Sequence, residues 1–439
     1  MKRALAGWDG WMRYVVALAC LAPIVAPSGP ARTAIVDPLI ALGLAVFTVL
    51  VLTRRQTLRL PFLPAVFVIS VSSLIAAINA KQPGMSALTM FQDAYLYAFL
   101  VMLANVMLTR DTARLRIAWT WVAIAIAIFG FVTLFAERHV TPLDIIRPKG
   151  PRAYASFYDP NMFASYLVMS LFMVLSLGGI IGRRLRWSAL LILGAALLAT
   201  KSNGGMLSWV VGFGVWAAVR AWTRRVSPLA LAGGGLMAIT TVLAAVWMIS
   251  GFGWGASELE TLTANSFLGR AEHSSETRFK IWQRLENSYL TAPLGIGPGN
   301  SSWQTLTVAD AERPKGSMQS KEAHNDYLAY AIERGPLALL ALLVLLGQGF
   351  GKVRTWWRRR VREGDVADSD GALAASLMGA LAAASVHALT IEVLHFRHFW
   401  MLMAIICALD GTASRRAEPA PAVKEPARPS PGRVAVAGT

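Results

Sequence analysis

The chain has 439 residues, 55% of them hydrophobic and only 15% charged, with a formal net charge of +17. A soluble protein of this length carries charge on about a quarter of its residues, so a soluble globular class is excluded. The basic excess does not point to nucleic acid, because the lysines and arginines gather in alternate short connections between apolar runs, as the positive-inside rule expects of a membrane protein.

Apolar runs lie near 11–27, 34–53, 61–80, 88–108, 117–136, 160–181, 187–200, 205–221, 228–252, 335–351, 371–391 and 394–410. Crossing the hydrocarbon core takes about 20 apolar residues, so these predict an all-α polytopic membrane protein of about twelve transmembrane helices. The basic clusters Lys2-Arg3, Arg54-Arg55, Arg114 to Arg116, Arg183-Arg184, Arg224-Arg225 and Lys352 to Arg362 then share one side, the cytoplasm, with both termini. The first run has the outline of a signal peptide, but Trp8, Trp11 and Arg13 make a poor leader, so it is expected to be retained. Cys20 and Cys407 sit inside apolar runs and read as small hydrophobes.

The organisation that follows is transmembrane helices one to nine over 1–252, a long extracytoplasmic loop with a catalytic segment over 253–334, helices ten to twelve over 335–411, and a disordered cytoplasmic tail over 412–439. A loop of that length is far above the usual connection and predicts a functional segment.

Polar candidates gather on the extracytoplasmic side. Arg152 precedes Asp159-Pro160-Asn161, where Asp159 suits an N-cap and Pro160 a first helical turn. Lys201 fills a short turn ahead of Ser202-Asn203-Gly204; it either snorkels or meets phosphate. Arg278 could grip phosphate through a bidentate fork, or be an ordinary loop arginine. The stretch Pro293-Leu294-Gly295-Ile296-Gly297-Pro298-Gly299-Asn300 allows positive φ and either an anion-binding nest of amides or a plain tight turn. His324, Asn325, Asp326 and Tyr327 open an interfacial helix ahead of the span from Pro336. A neutral imidazole beside a carboxylate can take a proton from a hydroxyl, while capping and headgroup anchoring explain the same residues without chemistry. The last outer turn holds Glu392, His395, Arg397 and His398; an Arg397–Glu392 ion pair is expected, and the two histidines are a weak metal pair. Asp93 lies inside the fourth span with no partner visible in the sequence.

The glycine stretch at 293–300, the His-Asn-Asp-Tyr-Leu run at 324–328, Glu333 and Gly335, with Arg278, Arg152 and the late long loop, resemble the O-antigen ligase and O-antigen polymerase superfamily of bacterial envelope glycosyltransferases. The resemblance covers roughly residues 145–410. It implies a GT-C-like enzyme of the inner membrane, with its active site facing the periplasm. That enzyme would transfer a glycan, with inversion and without metal or cofactor, from an undecaprenyl-diphosphate carrier to an acceptor hydroxyl on lipid A core or a second glycan. Carried onto this chain, His324 would be the base or positioner of the acceptor and Arg278 would hold the diphosphate. Arg152, Lys201, Asn325, Asp326, Tyr327 and Arg397 are the substrate-binding candidates. One departure stands out: ligases have an arginine in the Ser-Arg-Gly turn, where this chain reads Ser202-Asn203-Gly204. A repeat-unit polymerase is the nearest alternative. A transporter or flippase of lipid-linked glycan is the alternative from another class, and it predicts ionisable residues near the bilayer midplane.

Overall fold

The computed structural model describes residues 2–25, 34–56, 58–107, 109–135, 152–157, 159–224, 282, 290–301, 323–364 and 366–416. The described residues form α-helices joined by turns, with one 3₁₀ turn and no strand ladder. The protein is an all-α membrane protein. Its first half comprises α1 (Lys2–Leu21), α2 (Val36–Leu52), α3 (Leu63–Ile78), α4 (Pro83–Val106), α5 (Thr109–Phe135) and α6 (Pro160–Leu175). Next come α7 (Arg183–Thr200), α8 (Asn203–Arg224) and the short α9 (Asp326–Arg334). The chain closes with α10 (Pro336–Arg362), α11 (Asp368–His387), the 3₁₀ turn Val393–His395 and α12 (Arg397–Arg416). The apolar run expected at 228–252 and most of the long loop lie outside the described residues.

Length and composition let α4, α5, α8, α10 and α11 cross a membrane, and α2, α3 and α6 are shorter apolar helices. Large side chains such as Leu42, Val49, Phe67, Leu74, Leu191, Leu337 and Leu340 point outward and are exposed. An apolar face of that extent is tolerable only when lipid covers it. Inside, α8 and α11 run antiparallel with their backbones in contact. A Cβ added at Gly212 would meet the Gly379 carbonyl oxygen at 2.7 Å, and one added at Gly379 would meet the Gly212 oxygen at 2.9 Å. Small residues on both helices permit that approach, which lipid-embedded helices exploit because hydrophobic burial gives them no advantage.

The two ends of the bundle differ in chemistry. At one, Arg220 and Arg224 both reach Asp368, at 2.5 and 2.8 Å, and Arg360 reaches Asp370 at 2.9 Å. At the other, the starts of α4 and α10 meet the 293–301 turn, the starts of α6 and α8 meet each other and the start of α12 meets that of α2, and the described site candidates collect there.

Candidate active site

The glycine turn is built by close approach as well as by φ. Gly295, Gly297 and Gly299 have φ of 106°, 96° and 75°. A Cβ would strike the Glu333 carbonyl oxygen at 2.6 Å from Gly295, Ala80 at 2.5 Å from Gly297 and the Thr89 hydroxyl at 2.5 Å from Gly299. The amides do form a nest, and its anion is the chain's own Glu333. Gly299 N–H donates to Glu333 Oε2 at 2.8 Å, while the Ser301 amide and hydroxyl both donate to Oε1. Asn300 bolts the turn to α4 by accepting from Gln82 N–H at 2.9 Å and donating to Ser86 Oγ at 2.9 Å.

Glu333 ends α9, and the start of α9 is pinned by a second carboxylate. Asp326 Oδ2 accepts from the Val393 amide at 2.7 Å and the Leu394 amide at 3.3 Å, while its own N–H donates to the Ala388 carbonyl at 2.8 Å. Asn325 caps the helix by accepting from Leu328 N–H at 3.1 Å, and Tyr327 OH donates to the Ser385 carbonyl at 2.8 Å. Burial, then the nearby Glu392 charge, pushes the Asp326 carboxyl well above its usual range and raises Glu333 in the same direction. The expected substrate contacts Asn325, Asp326 and Tyr327 thus each hold a bond within the protein.

His324 stands immediately before this pinned helix with φ 51°. The left-handed region costs a bulky residue energy, and it persists only where the surroundings dictate it. His324 is half-buried and follows Ala323, which belongs to a small core with Ile296, Ala329 and Ile332 that Trp282 packs against. Trp282 Nε1–H donates to the Ala323 carbonyl at 3.2 Å, so Trp282 is fastened to the residue that precedes the histidine. Arg278 itself lies outside the described residues.

Arg152 is delivered to the turn between α7 and α8. Its Nε donates to the Thr200 carbonyl at 2.8 Å and its Nη2 to Asn161 Oδ1 at 3.2 Å. Ser202 Oγ donates to that same oxygen at 2.8 Å and accepts from Gly205 N–H at 3.2 Å, capping α8. Lys201 is the left-handed C-cap of α7, with φ 50°. Asp159 caps α6 as expected, accepting from Asn161 N–H at 2.6 Å. Gly204 abuts Thr390, so the Lys201 turn and the start of α9 both lean on the 387–394 segment.

Two ionic expectations are corrected. Arg397 forms a bidentate pair with Asp37 at the start of α2, not with Glu392, and Tyr95 OH adds a hydrogen bond to Asp37 at 2.7 Å. Glu392 pairs instead with His395 at 3.0 Å, and although burial opposes a charged ring, that contact raises the His395 pKa. His398 turns elsewhere, its Nε2 lying 3.3 Å from Ser165 Oγ, so the two histidines do not converge. Asp93 does have a partner: Arg334 Nη1 lies 2.5 Å away, with Ser73 Oγ at 3.1 Å and the Tyr330 ring below the guanidinium. Sequence reasoning missed Arg334, although a charged residue next to Gly335 and at the mouth of a span was a signal for a buried partner.

Residues 188–343 match the family model described as O-antigen ligase. That match puts the segment in the O-antigen ligase and polymerase superfamily. The O-antigen ligase domain takes in the Lys201 turn, the glycine turn and all of α9, so His324, Glu333 and Arg334 fall inside it, whereas Arg152 and Arg397 fall outside. It covers a little over a third of the chain. No curated protein matches the chain. The match supports an O-antigen ligase-type function in the broad sense.

Proposed function

We propose that the chain is an inverting glycosyltransferase of the inner membrane, of the O-antigen ligase type, with its active site on the periplasmic side. The donor is a glycan on undecaprenyl diphosphate and the acceptor a hydroxyl of lipid A core. The acceptor oxygen bonds to the anomeric carbon while the bond from that carbon to the diphosphate oxygen breaks. The bonding pair leaves with the diphosphate, and the hydroxyl proton passes to the His324 imidazole. Arg278, Arg152 and Lys201 stabilise the negative charge that grows on the departing group, an effect much larger in a water-poor cleft than in bulk.

The observation that supports this reading is the seating of His324. A strained histidine stands at the head of a helix whose two ends are clamped by buried carboxylates, all inside the O-antigen ligase domain. Such clamping supplies the preorganisation that acid–base catalysis needs and that a headgroup anchor does not. A repeat-unit polymerase remains the second reading, favoured by the turn Ser202-Asn203-Gly204, where Lys201 offers a point charge in place of the ligase arginine's fork. A flippase is disfavoured because the ionisable candidates gather at one end of the bundle rather than midway along the spans.

The test is a gel of surface glycans from a deletion strain, complemented with wild type, His324→Ala or Arg278→Ala. Full-length polymer left unattached is the ligase outcome, single repeats the polymerase outcome, and unchanged glycan refutes both. Normal transfer by both purified variants would remove the two catalytic assignments.

A further inference from the structure

We infer that His395, held by Glu392, is a sugar-binding residue: its Nε2–H donates to a hydroxyl oxygen of one of the two glycans that meet at the site. The inference deepens the reading above, in which a glycan is transferred beside His324, and rests on it.

The pair is built by the turn that also seats α9. Val393–His395 is a single 3₁₀ turn, and the Val393 and Leu394 amides donate to the Asp326 carboxylate at 2.7 and 3.3 Å. His395 therefore follows directly on the two residues that clamp the start of the helix behind His324. Glu392 Oε2 lies 3.0 Å from His395 Nδ1. The Glu392 side chain is 9% exposed, whereas that of His395 is 37% exposed. An accessible ring is thus fixed from behind by a carboxylate that solvent scarcely reaches.

The chemistry of the ring follows from that contact. Burial disfavours its charged form, but the Glu392 hydrogen bond and charge, with the charges of Asp93 and Asp326, outweigh burial and raise the pKa to about 10. A ring that is accessible and still penalised by desolvation lies in a recess, not on an open surface. Through the neutral range both of its nitrogens carry protons. Nδ1–H is taken by Glu392, so Nε2–H, across the ring, is the proton it can offer to a ligand.

The surroundings select the ligand. Glu392 on the same turn, Asp326 of α9 and Asp93 of α4 face the ring. Arg334 is engaged with Asp93, while Arg397 and His398 of α12 turn to Asp37 and Ser165. The imidazolium balances Glu392 and Arg334 balances Asp93, so the recess has no surplus positive charge. A phosphate or carboxylate ligand there would meet carboxylates. A sugar hydroxyl needs a fixed donor and no net charge, and a charge-assisted N–H held within a neutral pair supplies it.

The experiment uses the full chain in nanodiscs, with a polyprenyl-diphosphate-linked oligosaccharide as donor and lipid A core as acceptor. Donor and acceptor KM are measured for wild type, His395→Ala and His395→Gln, with melting temperatures alongside and inorganic diphosphate as a competitor of the donor. His395→Ala is expected to raise one of the two KM values roughly tenfold or more, and which one rises tells whether the hydroxyl belongs to the donor or the acceptor glycan. His395→Gln, which keeps an uncharged N–H donor, is expected to recover most of that loss. Inhibition by inorganic diphosphate should be the same in all three. Should the alanine variant not fold, the pH profile decides: the affected wild-type KM should stay flat and then rise near pH 10 as the ring loses its proton, and that rise should vanish in His395→Gln. Wild-type KM values in a folded His395→Ala, a rise in both at once, no rescue by glutamine, or weakened diphosphate inhibition would each overturn the inference and leave the glycosyltransferase reading standing. No transfer by wild type from any diphosphate-linked donor would refute that reading, and this inference with it.

Discussion

The Gly299 amide donates to the Glu333 carboxylate at 2.8 Å, closing a loop between two segments separated by 34 positions in the sequence. Through this bond the far end of α9 is tied to the turn that rests on α3 and α4. The near end, with His324, is tied by Asp326 to the last outer turn. A helix of nine residues is too short to hold its shape alone, so its position comes from these two clasps.

Replacing Glu333 by Gln should loosen the turn, because an amide nitrogen cannot accept from Gly299 N–H and one buried donor is left unmet. The expected destabilisation is about 1–3 kcal/mol, read as a lower melting temperature with correct membrane insertion. Gly299→Ala should cost at least as much, since it combines a left-handed φ with a clash against Thr89. A wild-type melting temperature for both would show that the clasp is not needed.

Asp93→Ala removes the carboxylate facing Arg334, whose side chain is only 3% exposed. Leaving a buried guanidinium uncompensated costs on the order of 3–5 kcal/mol. Loss of the folded protein from detergent extracts is the expected outcome, with partial recovery in the Asp93→Ala/Arg334→Met double variant. An unaffected single variant would mean that lipid or water satisfies the arginine.

The pH dependence has a definite sign. Asp326 and Glu333 have raised carboxyl pKa values, so the native state holds protons that the unfolded chain has already lost. Their contribution to stability is complete below the ordinary carboxyl range and declines as pH climbs through the raised values. His395 acts in the same sense: its elevated pKa adds stability that is full below the ordinary imidazole value and fades as pH rises through the folded-state one. Melting temperature should therefore fall between mildly acidic and mildly alkaline solution, with a shallower slope in Asp326→Asn. A slope unchanged by that substitution would contradict the assignment.

Topology is open to a simple check. Reporters fused after Gly411 or Thr412 are expected on the cytoplasmic side, the side of Arg220, Arg224 and Arg360. Periplasmic exposure of the fusion would invert the orientation and move the candidate site to the wrong compartment for a lipid-linked donor.

What the sequence made legible was local. Asp159 and Pro160 announced the start of α6 because a cap and its helix are neighbours in the chain. The glycines at 295, 297 and 299 announced positive φ because no other residue suits it so well. The anion that fills their nest was hidden, since Glu333 lies 34 positions further along the chain. The same reason misdirected Arg397: Glu392 is near in sequence, while its actual partner Asp37 lies 360 positions away. Within a helical bundle, ion pairs form between spans meeting at one end, and a single sequence does not state which spans meet. The left-handed backbone of His324 was equally hidden, because nothing in His-Asn-Asp-Tyr requires it.

That backbone conformation carries a wider meaning. Glycine would occupy position 324 with less steric conflict, by about 1 kcal/mol, so selection for robustness alone would discard the imidazole. A His324→Gly protein that unfolds at a higher temperature than its parent but transfers nothing would separate the two demands on this position. Endurance would have been surrendered there in exchange for reactivity.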